Sequence, residues 1–206
     1  MYAIVEDNEI TQYINFPKSV VIGEVRYPAK IFSLWSQSEL NAIGVYEVIS
    51  DSTNKKDEAY YINTNPSYEF ANDQVTESWG NATPKQLEDS FYTQQDSDNG
   101  NLPSDKEVGD LKAEGLKTQK KRIIKEQASA LLEKTDWHNH KALDDDTYTI
   151  PDNVKTYRTN VRAKSNEMET QIDACTNVDE LKALYEYTQQ EDGTQTRPLA
   201  EFPKEI

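Results

Sequence analysis

The sequence predicts an α+β fold. A small antiparallel β-rich module over residues 1–92 is followed by a long-helix module over 106–190, closing as a hairpin or a three-helix bundle. Three observations predict it. Before about residue 85, β-prone runs alternate with turn formers. Residues 93–105, TQQDSDNGNLPSD, are polar and rich in turn formers; they cannot bury themselves and read as a linker. Beyond the linker, apolar residues recur at helical spacing.

The elements follow in order. Tyr2 to Glu6 and Ile10 to Ile14 flank Asp7-Asn8-Glu9 and predict a hairpin. Val20-Val21-Ile22 and Gly44 to Ile49 predict further strands. Between them, Ser36 with Glu39 has the spacing of a helix start, and Gly44 stops the helix. Ala59 to Asn63 and Ser67 to Phe70 flank an Asn65-Pro66 turn, and Gln74 to Ser78 adds another strand. In the second half, Leu116, Ile123, Ile124, Ala128, Leu131 and Leu132 form a stripe on a helix running from about Lys106 to Lys134. Val154, Tyr157, Val161, Met168, Ile172 and Cys175 form a second stripe with near-heptad steps, opened by Pro151 in the first turn. A third helix opens at Asn177 and buries Val178, Leu181, Leu184 and Tyr185. The tail, 191–206, reads as coil with Phe202 as an anchor. Helices with one narrow stripe have two ways to complete a core: against each other, or between subunits of a homo-oligomer, a trimer among the options.

Composition narrows the function. The chain has 206 residues, 35% of them hydrophobic, and a net charge of −15. So acidic a surface repels phosphate, so no nucleic-acid partner is expected. The basic cluster Lys120-Lys121-Arg122 reads as a solvated helix face. A single cysteine excludes an intrachain disulfide. No apolar run approaches the roughly 20 residues of a membrane span. MYAIVEDNEI lacks a basic region and a long apolar core, so no secretory signal is expected. Twelve tyrosines, concentrated in the N-terminal module, suit both a protein interface and a strand core.

One stretch looks like a site. EKTDWHNHKALDDD, residues 133–146, holds His138, His140, Trp137 and four aspartates. Two histidines two apart could face one way as zinc ligands, but no third histidine and no cysteine pair complete a shell. The stretch therefore reads as a polar turn between two helices, with Trp137 folded back as a lid. Cys175 lies on an apolar stripe and reads as a small hydrophobe. No glycine-rich phosphate loop is present. No catalytic residue, metal site or cofactor is assigned, and no small-molecule substrate is expected.

Residues 110–185 carry a pattern. Leu131-Leu132-Glu133-Lys134-Thr135-Asp136-Trp137 precedes a polar gap with Pro151, then Tyr157-Arg158-Thr159-Asn160-Val161-Arg162. This resembles tail-fibre assembly chaperones of tailed bacteriophages and a related uncharacterised domain of phage tail-fibre and baseplate proteins. There a charged helix with a basic segment, here Lys120 to Lys125, leads into the Thr-Asp-Trp turn and a helix with the Tyr-Arg pair. Val161 stands where the family usually has leucine, and Arg197 to Pro203 only echoes its proline-rich close. The resemblance implies a non-enzymatic virion structural protein of the tail, made in the host cytoplasm, that assembles with other tail proteins. The alternative is a tail-fibre chaperone absent from the virion. The interface candidates are Ile124, Leu131, Trp137, Tyr157, Arg158, Val161, Met168 and Ile172.

Overall fold

Asp7 and Asn8 both adopt left-handed backbone, with φ of 53° and 65°. Aspartate and asparagine tolerate that region, and two such residues make the tight turn whose twist matches flanking strands. The turn joins β1 (Tyr2–Glu6) to β2 (Glu9–Ile14). The computed structural model describes all residues, Met1–Ile206, and divides into two compact units, Met1–Thr83 and Pro84–Ile206.

In the first unit, a short hairpin of β3 (Val20–Ile22) and β4 (Val25–Tyr27) precedes α1 (Ile31–Leu34) and α2 (Gln37–Ala42). Ser36 and Glu39 form a reciprocal capping box at the start of α2. Gly44, at φ 81°, ends the helix against β1; a Cβ there would lie 2.6 Å from the Val5 carbonyl oxygen. Next come β5 (Val45–Asp51), β6 (Tyr61–Ile62), β7 (Ser67–Ala71) and β8 (Gln74–Ser78). The main sheet runs β2-β1-β5-β8-β7. One face packs Ile4, Ile14 and Val45 under Ile31 and Leu40; the other packs Ala3, Val5 and Val75 with Tyr46 and Phe70. Strands β2 and β7 sit at opposite ends of this order, yet Tyr13 and Tyr68 meet with ring centroids 4.8 Å apart. The sheet therefore curls over its second face, and the tyrosine pair seals the seam.

The second unit begins within the short strand β9 (Thr83–Pro84). Strand β10 (Ser90–Phe91) pairs with β11 (Leu111–Ala113), and α3 (Gln94–Asp98) lies between them. Helices α4 (Leu116–Glu133), α5 (Asp136–Asp144), α6 (Asp152–Ala174) and α7 (Val178–Ala183) make up the helical part. The α4–α6 pair forms the core, with Ala128, Tyr157 and Val161 packed against Leu131, Leu132 and Phe202. A two-strand hairpin, β12 (Thr188–Gln189) and β13 (Gln195–Thr196), leads to the final segment.

The α+β class, with an antiparallel-rich sheet before long helices, matches the expectation from sequence. Several details differ. The β5–β8 pair is parallel, because β7 turns back on β8 through Asn72 and Asp73 instead of pairing with β6. The unit boundary lies at 83/84 and not at 92, since Gln86 and Leu87 bond the start of α4. The segment read as a linker, 93–105, contains α3, closed by a capping box of Thr93 and Asp96. The long helix starts at Leu116 and not near Lys106, because Leu111–Ala113 pairs as a strand. The stretch 135–146, expected to be a turn, is largely the helix α5. The tail read as coil holds the second strand of a hairpin, β13, and an unforeseen anchor, Leu199, which is 2% exposed.

Candidate functional site

Helix α4 has no side-chain N-cap. Its orphan N–H groups are met from elsewhere in the sequence. The Leu116 and Lys117 amides donate to the Gln86 and Leu87 carbonyls at 2.9 and 3.1 Å. The Asp89 carboxylate accepts from the Gly115 amide at 2.7 Å and the Thr118 hydroxyl at 2.9 Å. A carboxylate here complements the positive end of the helix dipole. Gly115 is required by proximity: a Cβ would lie 2.3 Å from the Glu88 carbonyl carbon.

The other end of α4 is closed by Arg158, which is 8% exposed and projects from α6. Its Nη1 donates to the Leu132 carbonyl at 2.8 Å and to Thr135 Oγ1 at 2.7 Å. Its Nη2 pairs with Asp136 at 2.7 Å. Thr135 in turn donates to the Leu132 carbonyl. A planar guanidinium with several fixed donors can hold a helix C-terminus and an acid at once; a lysine cannot. One side chain thus ends α4, fixes the bend and starts α5.

The arrangement is reciprocal. Lys117, on the first turn of α4, is 9% exposed. Its ammonium donates to the Asp173 carbonyl at 3.0 Å, at the C-terminus of α6, and pairs with Glu88 at 2.5 Å. Each long helix therefore receives its C-terminal cation from the other. An antiparallel pair places those ends side by side, and buried cations there meet both the dipole and the orphan carbonyls.

Beyond the Arg158 junction, α5 has no buried residue. Trp137 is 54% exposed and Leu143 80% exposed. Trp137 stacks on His138 with centroids 3.7 Å apart, and His138 Nδ1 shares a short hydrogen bond with the Tyr148 hydroxyl. The Lys141 ammonium lies 4.3 Å from the Tyr148 ring centre. A groove of about 350 Å³ runs beside this stack, with Thr135, Trp137, Pro151, Val154 and Ile206 among its walls. Trp137 is therefore not folded back as a lid; its ring lines an open groove. His138 is a hydrogen-bonded helix residue and not a solvated turn. No three of the chain's His, Cys, Asp and Glu side chains are grouped so as to hold a metal ion.

The remaining candidates divide sharply. Ile124, Tyr157, Val161, Met168 and Ile172 are buried within this chain, as is Arg158, and Leu131 is half-buried. The two stripes close on each other inside one chain. Trp137 alone of the eight presents a largely exposed side chain. Cys175 is buried, and burial pushes its thiol pKa up. In the basic cluster, Lys121 pairs with Asp173, Arg122 with Glu114 and Lys125 with Glu169, while Lys120 lies over the Tyr185 ring. The Asp173 hydrogen bond holds the Lys121 ammonium above its ordinary pKa. No helix is long and apolar enough to cross a membrane.

Sequence reasoning passed over Lys117, Asp89 and Tyr148. Lys117 and Asp89 carry no local signal, since each acts on a partner brought close by the fold. Tyr148, an aromatic inside a polar gap, was the detectable one. No family model, no curated protein and no solved structure matches the chain.

Proposed function

We propose that the protein is a non-enzymatic component of a tailed-bacteriophage tail, associated with the tail fibre or baseplate, and that it acts by protein–protein assembly as a homo-oligomer among other tail proteins. The observation that carries this reading is the Arg158 junction. Of the residues that bear the likeness to phage tail-fibre proteins, Arg158 bonds Leu132, Thr135 and Asp136 directly, although Leu132 lies 26 residues and Thr135 23 residues before it in sequence. A pattern whose members meet in space is a folding unit, and its spacing has a physical reason. The junction also sets α5 outward, with Trp137 beside an open groove. Exposed aromatic rings next to a pocket are the usual anchors of protein interfaces.

Mass spectrometry of purified particles tests the proposal. A tail component is recovered at a fixed ratio to other tail proteins. Abundance in the lysate with absence from particles favours the tail-fibre chaperone instead. Absence from both particles and tail-fibre assembly intermediates removes both readings.

A further inference from the structure

Trp137 stands half bare on a helix that buries no residue, so packing beneath α5 does not fix its ring. One face of the indole is covered by its chain neighbour His138, with centroids 3.7 Å apart and planes 26° apart. Helix geometry does not supply that contact. Successive side chains leave a helix about 100° apart, so neighbours in sequence do not face each other. Two such rings stack only if they lean together, and one of them must then be held from outside.

The outside hold is Tyr148. It lies in no helix or strand, yet its side chain returns to α5 at several points. Its hydroxyl shares a hydrogen bond with His138 Nδ1. Its ring runs within 16° of parallel to the His138 ring, with centroids 6.0 Å apart, and meets Trp137 at a tilt of 34°. The Lys141 ammonium sits over its other contact surface, 4.3 Å from the ring centre. The chain itself delivers Tyr148 to this place. Asp145 caps the end of α5, and its carboxylate accepts from the Thr147 amide at 3.0 Å and the Thr147 hydroxyl at 2.6 Å. Its carbonyl accepts from the Tyr148 amide at 2.9 Å. An aspartate that bonds the backbone two residues on makes its own chain reversal. The reversal folds Tyr148 back to the first turn of α5.

We infer that Tyr148 is the positioning residue of the Trp137 anchor: acting through His138, it sets the indole in the orientation that walls the groove. The dependence runs from the Asp145 turn to the Tyr148 hydroxyl, then to the His138 ring and the Trp137 ring. A side chain locked by a hydrogen-bonded neighbour presents a fixed surface and loses less freedom when it is covered. That use of the ring rests on the assembly reading; the positioning itself does not.

NMR relaxation of the full-length chain tests it. Three tryptophans give three indole N–H signals, and Trp137→Phe identifies the one of interest. In the native chain the Trp137 indole should have an order parameter near the 0.85 of rigid backbone, and Tyr148→Phe should lower it below about 0.6. Phenylalanine keeps the ring and loses only the hydroxyl, so packing is preserved. His138→Phe keeps an aromatic ring beside the indole but cannot bond Tyr148. It should loosen Trp137 to the same degree, and the two changes together should add nothing further, as for residues acting in one line. An unchanged Trp137 signal in Tyr148→Phe overturns the inference. So does a loss of order that spreads to the α5 backbone amides, because Tyr148 would then hold the helix and not the ring. Effects that simply add overturn it as well, since the influence would not pass through His138. All of these are read on the free chain, so absence of the protein from particles would remove the assembly reading and leave the positioning standing.

Discussion

The first unit ends its elements, and the second unit its two long helices, by opposite means. In Met1–Thr83 the turns are made by the residues that occupy them. Asp7-Asn8 and Asn72-Asp73 take the left-handed backbone that joins neighbouring strands, and Ser36 and Glu39 cap their own helix. In Pro84–Ile206 the long helices are ended by residues far away in sequence. Asp89 and the carbonyls before it close the start of α4, Arg158 closes its end, and Lys117 closes the end of α6. Local caps are numerous and each is worth little. Remote caps are few, and here two of them are buried cations, so losing one unpairs a helix-end carbonyl and a carboxylate together.

The sharpest way to break the contrast is Arg158→Ala. It strands the Leu132 carbonyl and unpairs Asp136, at a cost of about 3–4 kcal/mol, kept near the lower end by the partial exposure of Asp136. Arg158→Lys should recover less than half, because one ammonium cannot reproduce the guanidinium fork. Denaturant unfolding of the full chain measures both. A loss below about 1 kcal/mol for Arg158→Ala would place this cation among ordinary surface pairs and end the argument for reciprocal capping.

Gly44→Ala attacks the first unit where a local device meets the fold. The residue sits at φ 81°, and the added Cβ would lie 2.6 Å from the Val5 carbonyl oxygen. Left-handed backbone alone costs about 1–2 kcal/mol for an L-residue, and the contact raises the expected loss to roughly 2–3 kcal/mol. Helix α2 and strand β1 should loosen together, seen as faster amide exchange at Val5, whose N–H donates to the Gly44 carbonyl. A neutral outcome would mean that the turn has room to move, and that the first unit tolerates change even at its tightest point.

These costs also explain what the sequence made legible. The β1–β2 hairpin, the α2 capping box and both apolar stripes were readable because their signals lie within a few residues: Asp7-Asn8, Ser36 with Glu39, and Val154 through Ile172 at heptad steps. The ends of α4 were not. Nothing near Lys106 says that a strand will form at Leu111–Ala113, because its partner Ser90–Phe91 lies about 20 residues earlier. The Arg158 site was half legible. Thr135, Asp136 and Arg158 stood out as a pattern, yet their meaning depended on a contact across the helix pair. The buried stripe residues were offered as an interface because a stripe does not say whether it closes within a chain or between chains.

Trp137→Ala sharpens the comparison from the other side. A fully buried tryptophan would cost about 3–5 kcal/mol on truncation. Here the ring is 54% exposed, stacked on His138 and tilted against Tyr148. The expected loss is below about 1 kcal/mol, close to a surface change. A clear drop in oligomer or partner affinity alongside unchanged folding would mark the ring as an anchor. A large stability loss would show that α5 is part of the core after all.

The smallest expected effect combines both kinds of cap in one carboxylate. Asp96 caps α3 together with Thr93, three residues away, and also pairs with Lys112, sixteen residues away. Lys112 is the larger influence, followed by the Thr93 amide and hydroxyl, and together they hold the Asp96 carboxyl at about 2 against an ordinary 3.8. A depressed carboxylate favours the folded form only while ionised. Its contribution is therefore present above about pH 4 and is lost as pH falls through the folded value near 2. Carboxyl NMR of the full chain should place the Asp96 midpoint near 2. Lys112→Met should raise that midpoint toward 3.8 by more than Thr93→Val does, since the valine keeps the backbone amide. If the valine moves it more, the local cap outweighs the remote partner at this corner, and the second unit is less dependent on distant residues than its long helices suggest.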